Sequence, residues 1–270
     1  MFNNKLYKPV IVFDAGIGSY DIASRVAKAF PKQDILYFAD RASFPYGSKT
    51  KAQLLECIDN AIKFFLNFDP CAVILASNAP SIMVLDLIKG NYNIPIIGVK
   101  PPVAEAISLS KNKHVGILGV SSLIKSNEMQ SFVSEWNNNE AKVELFEASD
   151  LVDFVENGKF ILDKESTRQF VEYKMKQLPS KIDVFTLSST HLPWLRDYFS
   201  EACPDKTFID PANEVIDLVR PYTINGSGEM YTCASENEIY KISDFKLMLE
   251  KLAIHTHVFL QKELIEYHKN

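Results

Sequence analysis

Short apolar runs separated by longer helical stretches restrict this chain more than any other feature. Val10-Ile11-Val12-Phe13 reads as a buried strand, and Ser19 to Phe30 as a helix closed by Pro31. Ile35-Leu36-Tyr37-Phe38-Ala39 is a second strand, followed by a long amphipathic helix from Lys49 to Phe68. Ala72-Val73-Ile74-Leu75-Ala76 is a third strand, Ile82 to Lys89 a helix, and Ile94 to Val99 and Val115 to Leu118 are further strands. A strand with one solvated face alternates apolar with polar residues. Runs that are apolar throughout belong to a parallel sheet covered on both sides by helices. The expected class is therefore α/β, with doubly wound parallel sheets. Near the C-terminus, Asn225 to Glu238 reads as a polar, glycine-containing stretch. A helix from Ile242 to about Ala253 and an apolar strand, His257 to Leu260, follow it.

Three weak echoes run through the chain in the same order. A strand leads into Gly16 and again into Gly119. A strand ends in Leu75-Ala76-Ser77-Asn78 and again in Leu187-Ser188-Ser189-Thr190-His191. Pro-x-x-Glu follows a strand at Pro102 to Glu105 and again at Pro211 to Glu214. The offsets are all roughly 100 to 112 positions, which points to two related α/β units.

Composition excludes several classes of function. The chain has 270 residues and a net charge of −5 with no Lys/Arg cluster, so it carries no nucleic-acid footprint. No apolar stretch reaches the roughly 20 residues that span a bilayer, and the polar start, Met1 to Pro9, does not read as a signal peptide. The cysteines Cys57, Cys71, Cys203 and Cys233 form no C-x-x-C pair, so neither a metal site nor a redox motif is expected. Scattered free thiols suit a reducing cytoplasm.

In doubly wound sheets, ligands bind beyond the carboxyl ends of the strands, and four loops there carry suitable chemistry. The first is Asp14-Ala15-Gly16-Ile17-Gly18-Ser19, where glycines allow close backbone approach and Asp14 is placed to orient a group or handle a proton. It is a poor dinucleotide loop, because Asp21 stands where the third glycine of G-x-G-x-x-G belongs, and no cofactor is expected. The second is the turn Pro45-Tyr46-Gly47, offering backbone N–H donors and a phenol. The third and fourth are the Ser77-Asn78 and Ser189-Thr190-His191 loops, which hold matching places in the two units. Taken singly, each of these serines reads equally well as a helix cap.

Together these segments resemble the cofactor-independent glutamate racemases of the aspartate/glutamate racemase superfamily. The resemblance is carried by Val12-Phe13-Asp14 with Gly16 and Gly18, by Ile35 to Asp40, and by Pro45-Tyr46-Gly47-Ser48-Lys49. It continues through Ala76-Ser77-Asn78, Ile94 to Val99, Val155-Glu156-Asn157-Gly158, and Thr190-His191 with Pro193. It implies two similar α/β domains facing each other across a cleft, with residues 1–98 and 212–270 in the first and 99–211 in the second. It also implies interconversion of L- and D-glutamate for peptidoglycan precursor supply in the cytoplasm. The implied partners are a glutamate-like amino acid or small dicarboxylate and, as an assembly, a homodimer. No nucleic acid or membrane is implied. Asp14, Glu156 and His191 hold the positions that assist catalysis. Ala15, Gly16, Pro45, Tyr46, Gly47, Asn78, Ala79 and Thr190 hold the positions that line the substrate.

The chain departs from the family at the positions where the family's chemistry is done. Ser77 and Ser189 stand where the resemblance puts the two catalytic cysteines, and Ala15 and Ala79 stand where it puts a serine and a threonine. Racemisation needs two acid/base groups flanking one carbon, each a base in one direction and an acid in the other. A thiol, with an ordinary pKa near 8.5, is readily tuned toward neutrality, whereas a hydroxyl needs a base partner to act. His191, two residues from Ser189, is a candidate partner. Two functions follow as expectations: a glutamate racemase with impaired activity, or a diverged racemase-fold protein that binds a small carboxylate or transfers a proton on one side only, as in decarboxylation or elimination.

Overall fold

A computed structural model describes residues 5–137 and 140–269. The described residues up to Val99, together with those from Ala212 on, form one compact unit, and Lys100–Pro211 form the other.

The strands are β1 (Val10–Asp14), β2 (Ile35–Ala39), β3 (Ala72–Leu75), β4 (Ile96–Gly98), β5 (His114–Gly119), β6 (Lys142–Glu147), β7 (Val184–Ser188), β8 (Thr207–Ile209), β9 (Met230–Ala234) and β10 (Val258–Leu260). They make two parallel sheets, ordered β10-β9-β2-β1-β3-β4 and β6-β5-β7-β8. The first four strands of each unit are therefore laid in one pattern, β2-β1-β3-β4 and β6-β5-β7-β8. Each echo in the sequence falls at a matching strand end: Gly16 and Gly119 at β1 and β5, Ser77 and Ser189 after β3 and β7, and the Pro-x-x-Glu pair after β4 and β8. The α/β class and the parallel sheets expected from the apolar runs are present.

In the first unit both faces of the sheet are covered. Alternate residues Ile11, Phe13, Leu36, Phe38, Val73 and Leu75 pack under the helix Lys51–Phe65, which presents Leu54, Ile58, Ala61, Ile62 and Phe65 on one stripe. Phe65 meets Phe13 at 4.9 Å and Phe38 at 5.3 Å between ring centroids. That helix starts on a capping box in which Thr50 and Gln53 satisfy each other's free backbone N–H groups. On the opposite face, the helix Tyr20–Ala29 buries Ile22, Ala23 and Val26 and packs against the helix Ala212–Val219.

The helices that follow β4 and β8 are exchanged. Val103–Leu109, just after β4, packs on β5 and β7, while Ala212–Val219, just after β8, packs on β3 and β4. The helix after each of these strands thus belongs to the compact unit that the chain enters next, and covers that unit's own sheet.

Several local expectations are corrected. The polar stretch 225–238 contains a full strand, β9, whose Tyr231 to Ala234 are buried between β2 and β10. Its Thr and Cys are masked in sequence by the Gly and Ser around them. The helix expected over Ile82–Lys89 instead begins at Asn78, directly after Ser77, breaks at Val84 and resumes over Leu85–Ile88. The helix expected to run to Phe68 stops at Phe65 and tightens into a 3₁₀ turn, Leu66–Phe68. The edge strand β6 was not distinguished, because its alternating Lys-Val-Glu-Leu-Phe-Glu leaves it half-solvated.

Candidate active site

In the first unit the candidate residues sit at the carboxyl ends of β1, β2 and β3. Asp14 is the last residue of β1 and is 4% exposed. Its carboxylate accepts the Ala15 amide at 2.7 Å, and the N-cap position of the helix that follows is Ser19. Ala15 is buried, and the Gly16 carbonyl is held by the Tyr37 hydroxyl at 2.9 Å. The loop is thereby fixed from beneath by a core tyrosine.

Beyond β2, Pro45 leads the 3₁₀ turn Tyr46–Ser48, which contains Gly47. The Tyr46 phenol is buried and donates to Asp40 at 3.0 Å. Burial, followed by the negative charges of Asp40 and Asp14, pushes its pKa well above the ordinary value. Tyr46 is thus a neutral donor engaged by Asp40, where the sequence suggested a phenol free for ligand.

Beyond β3, Ser77 is extended, caps the following helix by position only, and makes no capping bond with its side chain. It is half-buried, while its neighbours Ala76, Asn78 and Ala79 are buried. Asn78 donates to the Val99 carbonyl at 3.1 Å. Ser81 donates to the Leu75 carbonyl at 3.0 Å and accepts the Val99 amide at 3.0 Å. These bonds pin the helix start to the ends of β3 and β4. The Asn78 side-chain oxygen is buried with no hydrogen-bond donor among the described residues. A buried acceptor left open in this way favours a donor from a bound molecule.

In the second unit the candidates lie beyond β7 and at the end of the helix Ser149–Glu156. His191 Nε2 lies 2.9 Å from Glu156 Oε2, and both side chains are buried. Glu156 is the last residue of its helix. The chain turns away at once through Gly158, whose φ of 67° lies in the region where a side chain would be strained. The Val-Glu-Asn-Gly run is therefore a helix end that delivers a carboxylate. Ser189 and Thr190 are buried, and the Ser189 carbonyl accepts the Leu192 amide at 3.0 Å. The Ser189 hydroxyl makes no hydrogen bond to His191. The imidazole is oriented by Glu156 instead.

Sequence reasoning missed Asp40 and Ser235 as members of the first set. Ser235 Oγ donates to Asp40 Oδ1 at 2.8 Å. Asp40 follows β2 as Asp14 ends β1, a positional signal that was available. Ser235 had none, being 195 positions from Asp40. Two surface hollows, one lined by Pro31 to Gln33 and Thr223 to Asn225, the other by Lys246 and His255 to Val258, lie before β2 and β10. They are at the amino ends of the strands, away from these loops and from where parallel sheets bind ligands. Among the described residues no group of His, Cys, Asp and Glu is arranged to hold a metal ion.

No family model matches this chain. It is 31% identical over 222 residues to a glutamate racemase of Sulfurihydrogenibium, a match covering 80% of this chain and 84% of that protein. Its fold superposes on a glutamate racemase isoform from Bacillus anthracis with a TM-score of 0.79 at 25% identity, covering 94% and 97% of the two chains. A glutamate racemase from Francisella tularensis, solved in complex with D-glutamate, shares the fold with a TM-score of 0.75 at 23% identity over 94% and 96%. The repeated strand order, the matched strand-end loops and this similarity over four-fifths of the sequence agree: the chain belongs to the glutamate racemase family.

Proposed function

We propose that this chain binds glutamate or a close dicarboxylate in a racemase-type site and racemises it far more slowly than a cysteine enzyme does. Ser77 and Ser189 occupy the acid/base positions. Asp14 stands near Ser77, His191 near Ser189, and Glu156 orients His191. Pro45, Tyr46 and Gly47 shape the substrate wall, with Asn78 and Thr190, and backbone N–H groups near Gly16, Gly47, Asn78 and Thr190 receive the carboxylate oxygens. No cofactor takes part. The cellular role in this reading is D-glutamate supply for peptidoglycan precursors in the cytoplasm. The ligand class is supported by the family relative crystallised with D-glutamate.

The observation that carries the reduced activity is the hydrogen bonding of the two serines. Neither hydroxyl is bonded to a base among the described residues, because His191 is held by Glu156 and Ser77 makes no side-chain cap. An unassisted hydroxyl is a weak base and a weak acid at neutral pH, and each general acid/base group is worth roughly 10²–10⁴-fold. The alanines at 15 and 79 remove two hydroxyl donors, each worth about 0.5–1.5 kcal/mol of binding.

A second reading, one-sided proton transfer, is favoured by the unequal surroundings of the serines: an imidazole two residues from Ser189, and none in the set around Ser77. One experiment addresses both. The purified chain is incubated with L- and D-glutamate in D₂O, beside the Ser77→Cys/Ser189→Cys variant. The expected result is little or no inversion by the natural chain and a clear gain in the variant. Deuterium entering one enantiomer without inversion would favour the second reading. Rapid racemisation by the unmodified chain would overturn the proposal.

A further inference from the structure

The turn carrying Pro45, Tyr46 and Gly47 is held by a part of the chain almost two hundred residues away. The end of β9 lies beside the end of β2, where the Ser235 amide donates to the Ala39 carbonyl at 3.0 Å. The Ser235 hydroxyl then works in two directions. It accepts the Ala42 amide at 3.0 Å and donates to Asp40 Oδ1 at 2.8 Å, leaving Asp40 Oδ2 to accept the Tyr46 phenol at 3.0 Å. Ser235, Asp40 and Tyr46 are all buried. The segment after Ser235 continues the clamp. Asn237 donates to the Ala42 carbonyl at 3.0 Å, Phe44 meets Tyr240 edge-on at 4.9 Å, and the Arg41 guanidinium lies over the rings of Tyr240 and Phe245.

We infer that Ser235 is a positioning residue for the Pro45-Tyr46-Gly47 turn, acting through Asp40. A carboxylate with one oxygen satisfied by Ser235 has a single orientation in which the other meets Tyr46. Without that donor, Asp40 is free to rotate and Tyr46 loses a fixed acceptor. Low-dielectric surroundings make such a chain of hydrogen bonds stiff when complete and costly when one member is removed. The inference rests on the reading that this turn lines the ligand site, and one arm of its test does not depend on that reading.

The first arm is amide hydrogen exchange on the full chain. Ser235→Ala speeds exchange across residues 42–48 by about fivefold or more, with the helix Lys164–Met175 of the other unit unchanged. Ser235→Thr, which keeps the hydroxyl, restores the slow pattern. Asn237→Ala, which releases the Ala42 carbonyl and the amides of Ile239 and Tyr240 but leaves the Ser235–Asp40 bond in place, gives a smaller change over 42–48 and serves should Ser235→Ala fail to fold. The second arm is calorimetry with L-glutamate. Ser235→Ala weakens binding by about fivefold, the effect of one neutral hydrogen bond. In a Tyr46→Phe background the same substitution adds less than about twofold, because two residues on one path are not additive. Unchanged exchange over 42–48, or equal weakening with and without the Tyr46 hydroxyl, would overturn the inference. Absence of glutamate binding by the natural chain would instead remove the ligand reading of the turn, and the exchange arm would still decide whether Ser235 holds it.

Discussion

The two units use the same strand order to present different chemistry. The first collects acceptors at its strand ends: the Asp14 carboxylate, Asp40 behind Tyr46, and the open side-chain oxygen of Asn78. The second presents an imidazole locked to a carboxylate, His191 on Glu156, and two residues before it the buried Ser189. A duplicated scaffold fixes where residues emerge from a sheet and leaves their identity open. Two bases of nearly equal strength suit racemisation, since each must serve in both directions. Two unequal sides suit a reaction in which one side does the work.

The sharpest way to break this contrast is to place the same acid/base group at Ser77 and Ser189 and to remove in turn Asp14 and His191, the residues proposed to assist them. In the Ser77→Cys/Ser189→Cys chain, His191→Ala is expected to lower the racemisation rate by roughly 10²–10⁴-fold, the range for a lost acid/base group, and Asp14→Asn by clearly less. Steady-state rates in both directions, followed by circular dichroism of glutamate, provide the measurement. Equal losses would erase the asymmetry and make Asp14 a full counterpart of His191.

How much of this was legible in the sequence depended on where each residue's partners lie. The strands β1, β2 and β3 could be read because their own residues are apolar on both faces, and the echoes were placed correctly because strand-end loops keep their order along the chain. β9 was missed because Met230 to Ala234 becomes a buried strand only through pairing with β2, a partner absent from any local window. Motif resemblance brought Glu156 and His191 into one list, yet their bond, and the lack of one from His191 to Ser189, depend on side-chain geometry. Tyr46 was read as a donor available to ligand because nothing near it in sequence announces Ser235, whose hydroxyl holds Asp40 in place.

The units also differ at their opposite, amino-terminal strand ends, where each uses an aspartate to gather backbone amides. In the first unit Asp34 is fully buried. Its carboxylate accepts the amides of Tyr7, Ser227, Gly228 and Glu229 and the Ser227 hydroxyl, tying the N-terminal segment and the approach to β9 onto β2. Removing it takes a buried acceptor from four amides and a hydroxyl at once. These donors sit on exposed residues, so water takes over part of the bonding and the loss stays near that of one unsatisfied group, about 1–3 kcal/mol. Asp34→Ala is therefore expected to cost about 1–3 kcal/mol in urea unfolding. A loss below ~1 kcal/mol would mean that water replaces the carboxylate freely and that β9 needs no such anchor.

Asp183 is the part-buried counterpart in the second unit, and its smaller effect is best read through pH. Burial on its own would raise its carboxyl pKa, but the Ser110 hydroxyl at 2.6 Å and the amides of Asn112 and Lys111 outweigh it and hold the pKa below the ordinary value. A carboxyl lowered in the folded state binds fewer protons there than in the unfolded chain. The stability it lends is therefore complete above the unfolded value of about 3.9 and fades as pH falls through the lower folded value. Urea midpoints of the natural chain and of Asp183→Asn should accordingly differ most at neutral pH and converge only as pH falls through the lowered folded value. A gap that stayed constant across that range would show Asp183 acting through shape and hydrogen-bond count alone. The charge at this end of the second sheet would then be incidental, and Asp34 and Asp183 would differ only in how many amides each one holds.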